Sequence, residues 1–201
     1  MLDMRRTESA AATRRALLDA GAELLDGGGP GAVTLREVGA RVGVTRGAPY
    51  RHFANKETLL TAIAAEGWER IGEHMHALAT DSRREPAEKL RTALGSLITV
   101  SQAQPHLYQL MFTAPAGDPS AVVRAAQRAC TEFSIIVSEV VGEQNAERYA
   151  AILLTEAHGA AGLAASGLLH TEKWHTTAEE LIDGILAIVI PAQADLPRSA
   201  R

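Results

Sequence analysis

Thr34-Leu-Arg-Glu-Val-Gly-Ala-Arg-Val-Gly-Val-Thr-Arg-Gly-Ala-Pro-Tyr-Arg-His-Phe-Ala-Asn-Lys56 reads as two short helices joined by a tight turn. Leu35, Val38 and Val42 recur at i, i+3 and i+7, which puts them on one buried helical face. Thr34 followed three residues later by Glu37 is a capping box: the hydroxyl takes an orphan N–H and the carboxylate reaches back. Gly43 stands where the first helix must stop, because glycine turns left-handed with no Cβ penalty. Val44 then packs inward, and Thr45 is expected to cap the second helix with its hydroxyl. That helix carries Arg46, Gly47, Tyr50 and Arg51 toward one side and Ala48, Phe53 and the ring of Pro49 toward the other. Pro49 falls near the first turn, where a missing N–H costs least. A helix, a short glycine-bearing turn and a donor-rich second helix make a helix-turn-helix. The plainer alternative is a helical hairpin inside an ordinary bundle, but a purely structural second helix has little use for outward arginine, tyrosine and histidine.

Composition sets the frame around this stretch. The chain has 201 residues, 46% of them hydrophobic and only 4% aromatic, so its core is built from Ala, Leu, Val and Ile. The abundant alanine favours helix throughout. The formal charge of −4 hides an asymmetry. Residues 1–56 hold nine Lys/Arg against six Asp/Glu, and the remainder holds eleven against eighteen. A basic end on an acidic body suits a protein that meets phosphates at one end only. The single cysteine excludes an internal disulfide and any zinc site built from several cysteines. Arg5-Arg6 is followed by a charged helix rather than an apolar leader segment. No apolar run approaches the roughly 20 residues of a membrane span, so a cytoplasmic protein without membrane association is expected.

Three groups of residues in this region agree in type and spacing: Gly43-Val44-Thr45, Tyr50-x-His52-Phe53 and Asn55-Lys56-Glu57-x-Leu59-Leu60. Together they resemble the TetR/AcrR family of bacterial transcriptional regulators. Further on, Tyr108, Leu110-Met111-Phe112 and His158-Gly159 look like a WHG-type ligand-binding domain of that family, with Ala157 where tryptophan would precede the His-Gly pair. The resemblance implies an all-α, nine-helix architecture. A three-helix DNA-binding domain would occupy 1–55 and a ligand-binding and dimerisation domain 56–201. It also implies that Thr34, Arg36, Thr45, Arg46, Gly47, Tyr50, Arg51, His52 and Lys56 contact double-stranded DNA. Of these, Thr34, Thr45, Tyr50, His52 and Lys56 suit phosphate contacts that set the register. Arg36, Arg46 and Arg51 are long enough to reach guanine O6 and N7.

The rest of the chain reads as helices. Residues 1–8 are expected to be a mobile arm, followed by a helix from Ser9 to Asp26 with Leu17, Gly21, Leu24 and Leu25 inward, ended by Gly27 to Gly31. Asn55 can cap a long helix to Ala79 with Leu59, Leu60, Ile63, Ile71, Met75 and Leu78 as its apolar positions. Ser82-x-x-Glu85 with Pro86 starts another, to Ala103, and Pro105 opens a short one to Thr113. Asp118-Pro119 starts a helix to Val141, Gly142 to Asn145 make a turn, and a helix from Ala146 to Ala165 follows. Thr176-x-x-Glu179 is expected to cap the last helix, which Pro191 would stop at Ile190, leaving a disordered tail.

The small residues of the penultimate helix, Gly159 and Gly162 among them, let another helix come close, and Leu181, Ile185 and Ile188 supply bulk on the last one. A buried hairpin in a monomer or a four-helix interface in a homodimer would account for both, and the homodimer accounts for the apolar perimeter better. Met75, Tyr108, Met111, Phe112 and His158 are the candidate contacts for a small-molecule effector, with packing in the core as the alternative for each. Cys130 reads as a small core residue. His74 and His76 point apart on a helix, and His170, His175 and Glu172 give only a weak metal signature. No catalytic motif, metal site or cofactor fingerprint is present. The expected function is a one-component repressor released from a palindromic operator by a small apolar ligand. An activator or global regulator of the same fold, and less readily a helical enzyme using His158 with Glu156 or Glu139, are the alternatives.

Overall fold

Caps, glycines and prolines mark many of the helix boundaries, such as Thr34 and Gly43 around one helix, Asn55 before another, and Pro86 and Pro105 at the starts of two more. The computed structural model describes residues 2–113, 118–170 and 174–194, and among these there are nine α-helices and no strand. They are α1 (Leu2–Ala32), α2 (Leu35–Val42), α3 (Ala48–His52), α4 (Lys56–Thr80), α5 (Pro86–Ala103), α6 (Pro105–Phe112), α7 (Ser120–Val141), α8 (Glu143–Ala165) and α9 (Ala178–Ala194), with a 3₁₀ turn at Leu168–His170. The chain packs as two compact units. One is Met1–Trp68 with Gln104–Ala125, and the other is Glu69–Ala103 with Ala126–Arg201.

In the first unit α1 packs on α2, α3 and α6. Leu17, Leu18, Leu25, Val33, Val38, Phe53 and Leu59 are sealed from solvent there. Leu18 takes the inward place expected of Leu24, which is only partly buried. Asn55 caps α4 as its sequence suggests, its Oδ1 accepting from Thr58 N at 2.8 Å. Residues 2–8 are helical rather than a free arm, because the alanine-rich α1 extends toward the N-terminus without a breaker. At its other end α1 runs through Gly27 and Gly28, and the break falls at Gly29, whose φ of 68° and ψ of −173° few other residues adopt.

A second glycine is needed for approach rather than for conformation. A Cβ on Gly39 of α2 would lie 2.7 Å from Pro49 Cγ of α3, and the proline ring cannot swing away. Alanine in place of Gly39 gains about 1 kcal/mol of helix propensity. Overpacking costs about 1–3 kcal/mol, so the steric term wins. Gly39→Ala is expected to lower the urea midpoint at unchanged m-value. A midpoint that rises would show that α3 moves off α2 freely.

In the second unit α5, α8 and α9 pack on one another. Leu90, Leu94 and Ile98 of α5, Leu153 and Ala157 of α8, and Ile182, Leu186 and Val189 of α9 are all buried. Ala157, standing where tryptophan was expected, has no exposed surface. Lys89 Nζ reaches both carboxylate oxygens of Glu139 on α7, at 3.0 and 2.9 Å, and the Ala79 carbonyl of α4 at 3.2 Å.

Several boundaries differ from those expected. Helix α5 starts at Pro86, where Glu88 N and Lys89 N both donate to the Glu85 carbonyl, so Ser82 lies too far upstream to cap it. Gly142, with φ of 79°, is the whole connection between α7 and α8, and Glu143 to Asn145 are already helical. The box at α9 is Thr177 with Glu180, one residue later than Thr176 with Glu179. Thr177 Oγ1 accepts from Glu180 N at 3.1 Å, and Glu180 Oε2 accepts from Thr177 N at 3.0 Å. That register turns Ala178, Ile182, Leu186 and Val189 inward and leaves Glu179 free to accept from Gln102 Nε2. Helix α9 also passes through Pro191 to Ala194 instead of stopping at Ile190.

Candidate nucleic-acid interface

The helix-turn-helix is held by backbone chemistry that leaves its charged side chains outward. Thr34 is extended (φ −135°, ψ 148°), and its hydroxyl accepts from Glu37 N at 3.1 Å, so the O–H stays available to donate outward. Gly43 is left-handed at φ 75°. Its N–H reaches Ala40 O, and Val44 N reaches Gly39 O, both at 3.1 Å, which is a Schellman closure.

Thr45 does not cap α3. The N-cap is Gly47, with no side-chain cap, and Thr45 contributes its carbonyl to Ala48 N at 2.9 Å. A turn through Arg46 and Gly47 therefore precedes the helix, and it leaves the Thr45 side chain exposed. Arg36, Arg46, Gly47, Tyr50 and Arg51 are also exposed, Tyr50 to 57%, while His52 and Lys56 are partly so. Gly47 has an ordinary φ of −87°, and a Cβ there would come no closer than 3.9 Å to Arg51 Nη1. Neither conformation nor packing in this chain requires glycine at that place.

Charge pairing separates this surface from the rest of the first unit. Arg15 is held by Asp19 at 2.8 Å and Glu66 at 3.3 Å, and these neighbours raise its guanidinium pKa, the hydrogen bond to Asp19 most. Arg41 pairs with Glu23 at 3.3 Å. Arg14 lies over the Phe53 ring at 5.1 Å. Among the described residues, Arg36, Arg46, Arg51 and Lys56 have no such carboxylate partner.

The other candidate residues fall in several places. Tyr108, Met111 and Phe112 of α6 gather on Trp68 of α4, inside the first unit. Trp68 Nε1 donates to Met111 O at 3.1 Å, and the Phe112 ring sits 5.0 Å from Trp68 and 4.9 Å from Tyr108. Tyr108 and Met111 are buried, and burial pushes the Tyr108 phenol up to about 12, so it is neutral at physiological pH. Met75 is buried in the second unit. His158 is exposed on α8, which removes the expectation of a core histidine. Cys130 is likewise exposed on α7 rather than packed in the core, with its thiol pKa raised by partial desolvation. Both oxygens of Glu139 accept from the Lys89 ammonium. No three His, Cys, Asp or Glu side chains converge on a metal position among the described residues; His170 and Glu172 fall outside the described side chains.

The hairpin of α8 and α9 keeps a second, outward face. Gly159 and Gly162 are exposed, and a Cβ on either would have open space. Leu181 and Ile185 are partly exposed, and Ile188 is 67% exposed. A cavity of about 320 Å³ lies in the first unit, between α4, α6 and the first turn of α7. Its residues lie far apart in the chain, from Pro30 to Val122, so no local pattern announces it.

A glycine-closed turn presenting unpaired cations defines a helix-turn-helix protein of the DNA-binding class. Comparison with known proteins gives the family. Residues 17–63 match the family described as bacterial regulatory proteins, tetR family, and residues 90–188 match the tetracyclin repressor-like C-terminal domain. The chain belongs to the TetR/AcrR family of DNA-binding transcriptional regulators. A protein of unknown function from Rhodococcus sp. RHA1 is 25% identical, with a TM-score of 0.76 over 91% of this chain and 96% of that one. FadR from Bacillus subtilis, in complex with stearoyl-CoA, is 14% identical with a TM-score of 0.65, covering 88% and 97%. AibR, in complex with isovaleryl coenzyme A and operator DNA, is 18% identical with a TM-score of 0.59, covering 89% and 98%. The last two likenesses are of fold. No curated protein matches the chain. Among the described residues no helix is long and apolar enough to cross a membrane.

Proposed function

We propose that the protein is a cytoplasmic, homodimeric repressor that holds a pseudo-palindromic operator and is released from it by a small, mostly apolar molecule. The observation that carries the reading is the contrast in pairing: Arg15 and Arg41 are neutralised by carboxylates, whereas Arg36, Arg46, Arg51 and Lys56 are left for phosphates and base edges. Gly47 is compatible with the same picture, since it is exposed and lacks a side chain that would hold a DNA backbone away. The solved complexes of AibR with operator DNA and a thioester, and of FadR with a thioester, support a ligand-responsive regulator. The outward apolar face of α8 and α9, with Gly159, Gly162, Leu181, Ile185 and Ile188, supports the dimer. In such a dimer the two recognition helices span about 34–36 Å, one turn of DNA, or a multiple of it. Effector contacts among Tyr108, Met111 and Phe112 would act on α4 through Trp68, to which α6 is hydrogen-bonded. Met75 and His158 would enter only if a ligand reached the second unit.

The test is a set of binding isotherms on an operator taken from a genome-wide footprint, measured at several salt concentrations. Lys56→Ala is expected to weaken all sequences alike and to reduce the salt slope by about one. Arg46→Ala is expected to relax sequence preference at a cost of about 1–3 kcal/mol. The opposite pattern, with Lys56→Ala changing base preference and Arg46→Ala not, would overturn the division of roles.

A further inference from the structure

The cavity of the first unit has a recognisable chemistry. Its floor is one face of α4, where Glu57, Leu60, Thr61 and Ala64 follow at i, i+3, i+4 and i+7. Opposite stand His106 and Leu110 of α6. At about 320 Å³ the space lies at the small end of ligand pockets, and most of these walls are apolar.

The polar groups are Glu57, the Thr61 and Thr113 hydroxyls, the His106 ring and the Gln109 carboxamide, of which the last two can donate as well as accept. Glu57 is the one formally charged side chain in the lining, which contains no lysine or arginine. The Thr61 hydroxyl donates to the Glu57 carbonyl at 2.8 Å. At the far wall the Thr113 hydroxyl donates to the Gln109 carbonyl at 2.7 Å. Both hydroxyl protons are thus committed to their own helices, and what the two threonines present to the space is lone pairs. His106 and Gln109 can serve a neutral or acceptor group, but the one formal charge facing the apolar chamber is the Glu57 carboxylate, which favours a cation over an anion of the same shape.

We infer that this cavity is a binding site for a small, mostly apolar amine whose ammonium group pairs with Glu57, an inference that rests on the reading of the chain as a ligand-responsive regulator. The position gives such a ligand direct leverage. Lys56, proposed to meet a phosphate, immediately precedes Glu57, so the ligand and the DNA would act on one helical turn. The α6 wall is tied to the end of α1, where Gln104 Nε2 donates to Asp26 Oδ2 at 3.0 Å and the His106 ring packs on Gly29. An amine between α4 and α6 would therefore bear on the elements that hold the helix-turn-helix. A ligand shifts that equilibrium only by its difference in affinity for the two arrangements.

The experiment is calorimetric titration of the full chain with 4-phenylbutylamine, its neutral isostere 4-phenylbutanol and its anionic isostere 4-phenylbutanoate. One amine per chain is expected, bound about ten-fold more tightly than the alcohol, with the carboxylate weakest. Glu57→Gln, an exposed and nearly isosteric change, is expected to remove the advantage of the amine and leave the alcohol unchanged. Glu57→Lys is expected to favour the carboxylate instead. No amine binding, equal binding of amine and alcohol, or an amine affinity indifferent to Glu57→Gln would each overturn the site. Gel shifts on the same samples separate this inference from the repressor reading. Amine binding by a chain that holds no operator keeps the site and removes the repressor; operator binding without amine binding does the reverse.

Discussion

Glu139→Ala is expected to destabilise the chain by about 3 kcal/mol, with a fall in Tm of roughly 6–12 °C for a protein of this size. The reason is what remains behind. Lys89 is buried, and its ammonium is satisfied by the two Glu139 oxygens and the Ala79 carbonyl. Without Glu139 a buried cation keeps one carbonyl, and breaking such a pair costs about 3–5 kcal/mol. The lower end applies because the Glu139 side chain is 30% exposed, so water can reach part of the gap. Urea denaturation measures the loss. The double variant Lys89→Met with Glu139→Leu is expected to recover most of it, since an apolar pair of similar volume needs no charge compensation. A loss below about 1 kcal/mol for Glu139→Ala would mean that the Lys89 ammonium swings out to solvent.

Gly162→Glu is expected to yield a folded monomer with no measurable operator affinity. Gly162 is exposed and a Cβ there has open space, so the substitution starts outward from α8 and the fold tolerates it. In a dimer built on the outward face of α8 and α9, the same carboxylate would be driven into a close helix contact without a partner. Burial of an unpaired charge costs enough to break an interface of ordinary size. Losing one head forfeits half of the phosphate contacts, and affinity falls with them. Sedimentation velocity separates the outcomes, and a variant that stays dimeric would move the interface elsewhere on the molecule.

What could be read from the sequence was mostly chemistry that acts within a few residues. Thr34, Gly43 and Asn55 each satisfy backbone groups three or four positions away, and all three do in the structure what their types suggest. Ambiguity entered where two local solutions coexist. Thr176-Thr177-Ala178-Glu179-Glu180 contains two capping boxes one residue apart, and the burial of Ile182, Leu186 and Val189 selects the second. Thr45 failed as a cap because its backbone opens a turn through Arg46 and Gly47 before α3 starts. Cys130 and His158 sit where a helix face passes from covered to open, and that border depends on neighbouring helices rather than on period. The cavity was out of reach for the same reason: Pro30, Glu57, His106 and Val122 converge only after four helices have packed.

The hydrogen bond from Trp68 to Met111 also gives the protein a built-in optical gauge. The chain has two indoles, and their surroundings are opposite: Trp68 is 5% exposed and Trp174 is 52% exposed. An aqueous quencher such as iodide will darken Trp174 first, leaving an emission that belongs to Trp68. That indole is pinned to the α6 backbone at its nitrogen and flanked by the Phe112 ring. Any motion of α6 along α4 changes the polarity around its excited state, so the colour of the unquenched light tracks that joint without a label.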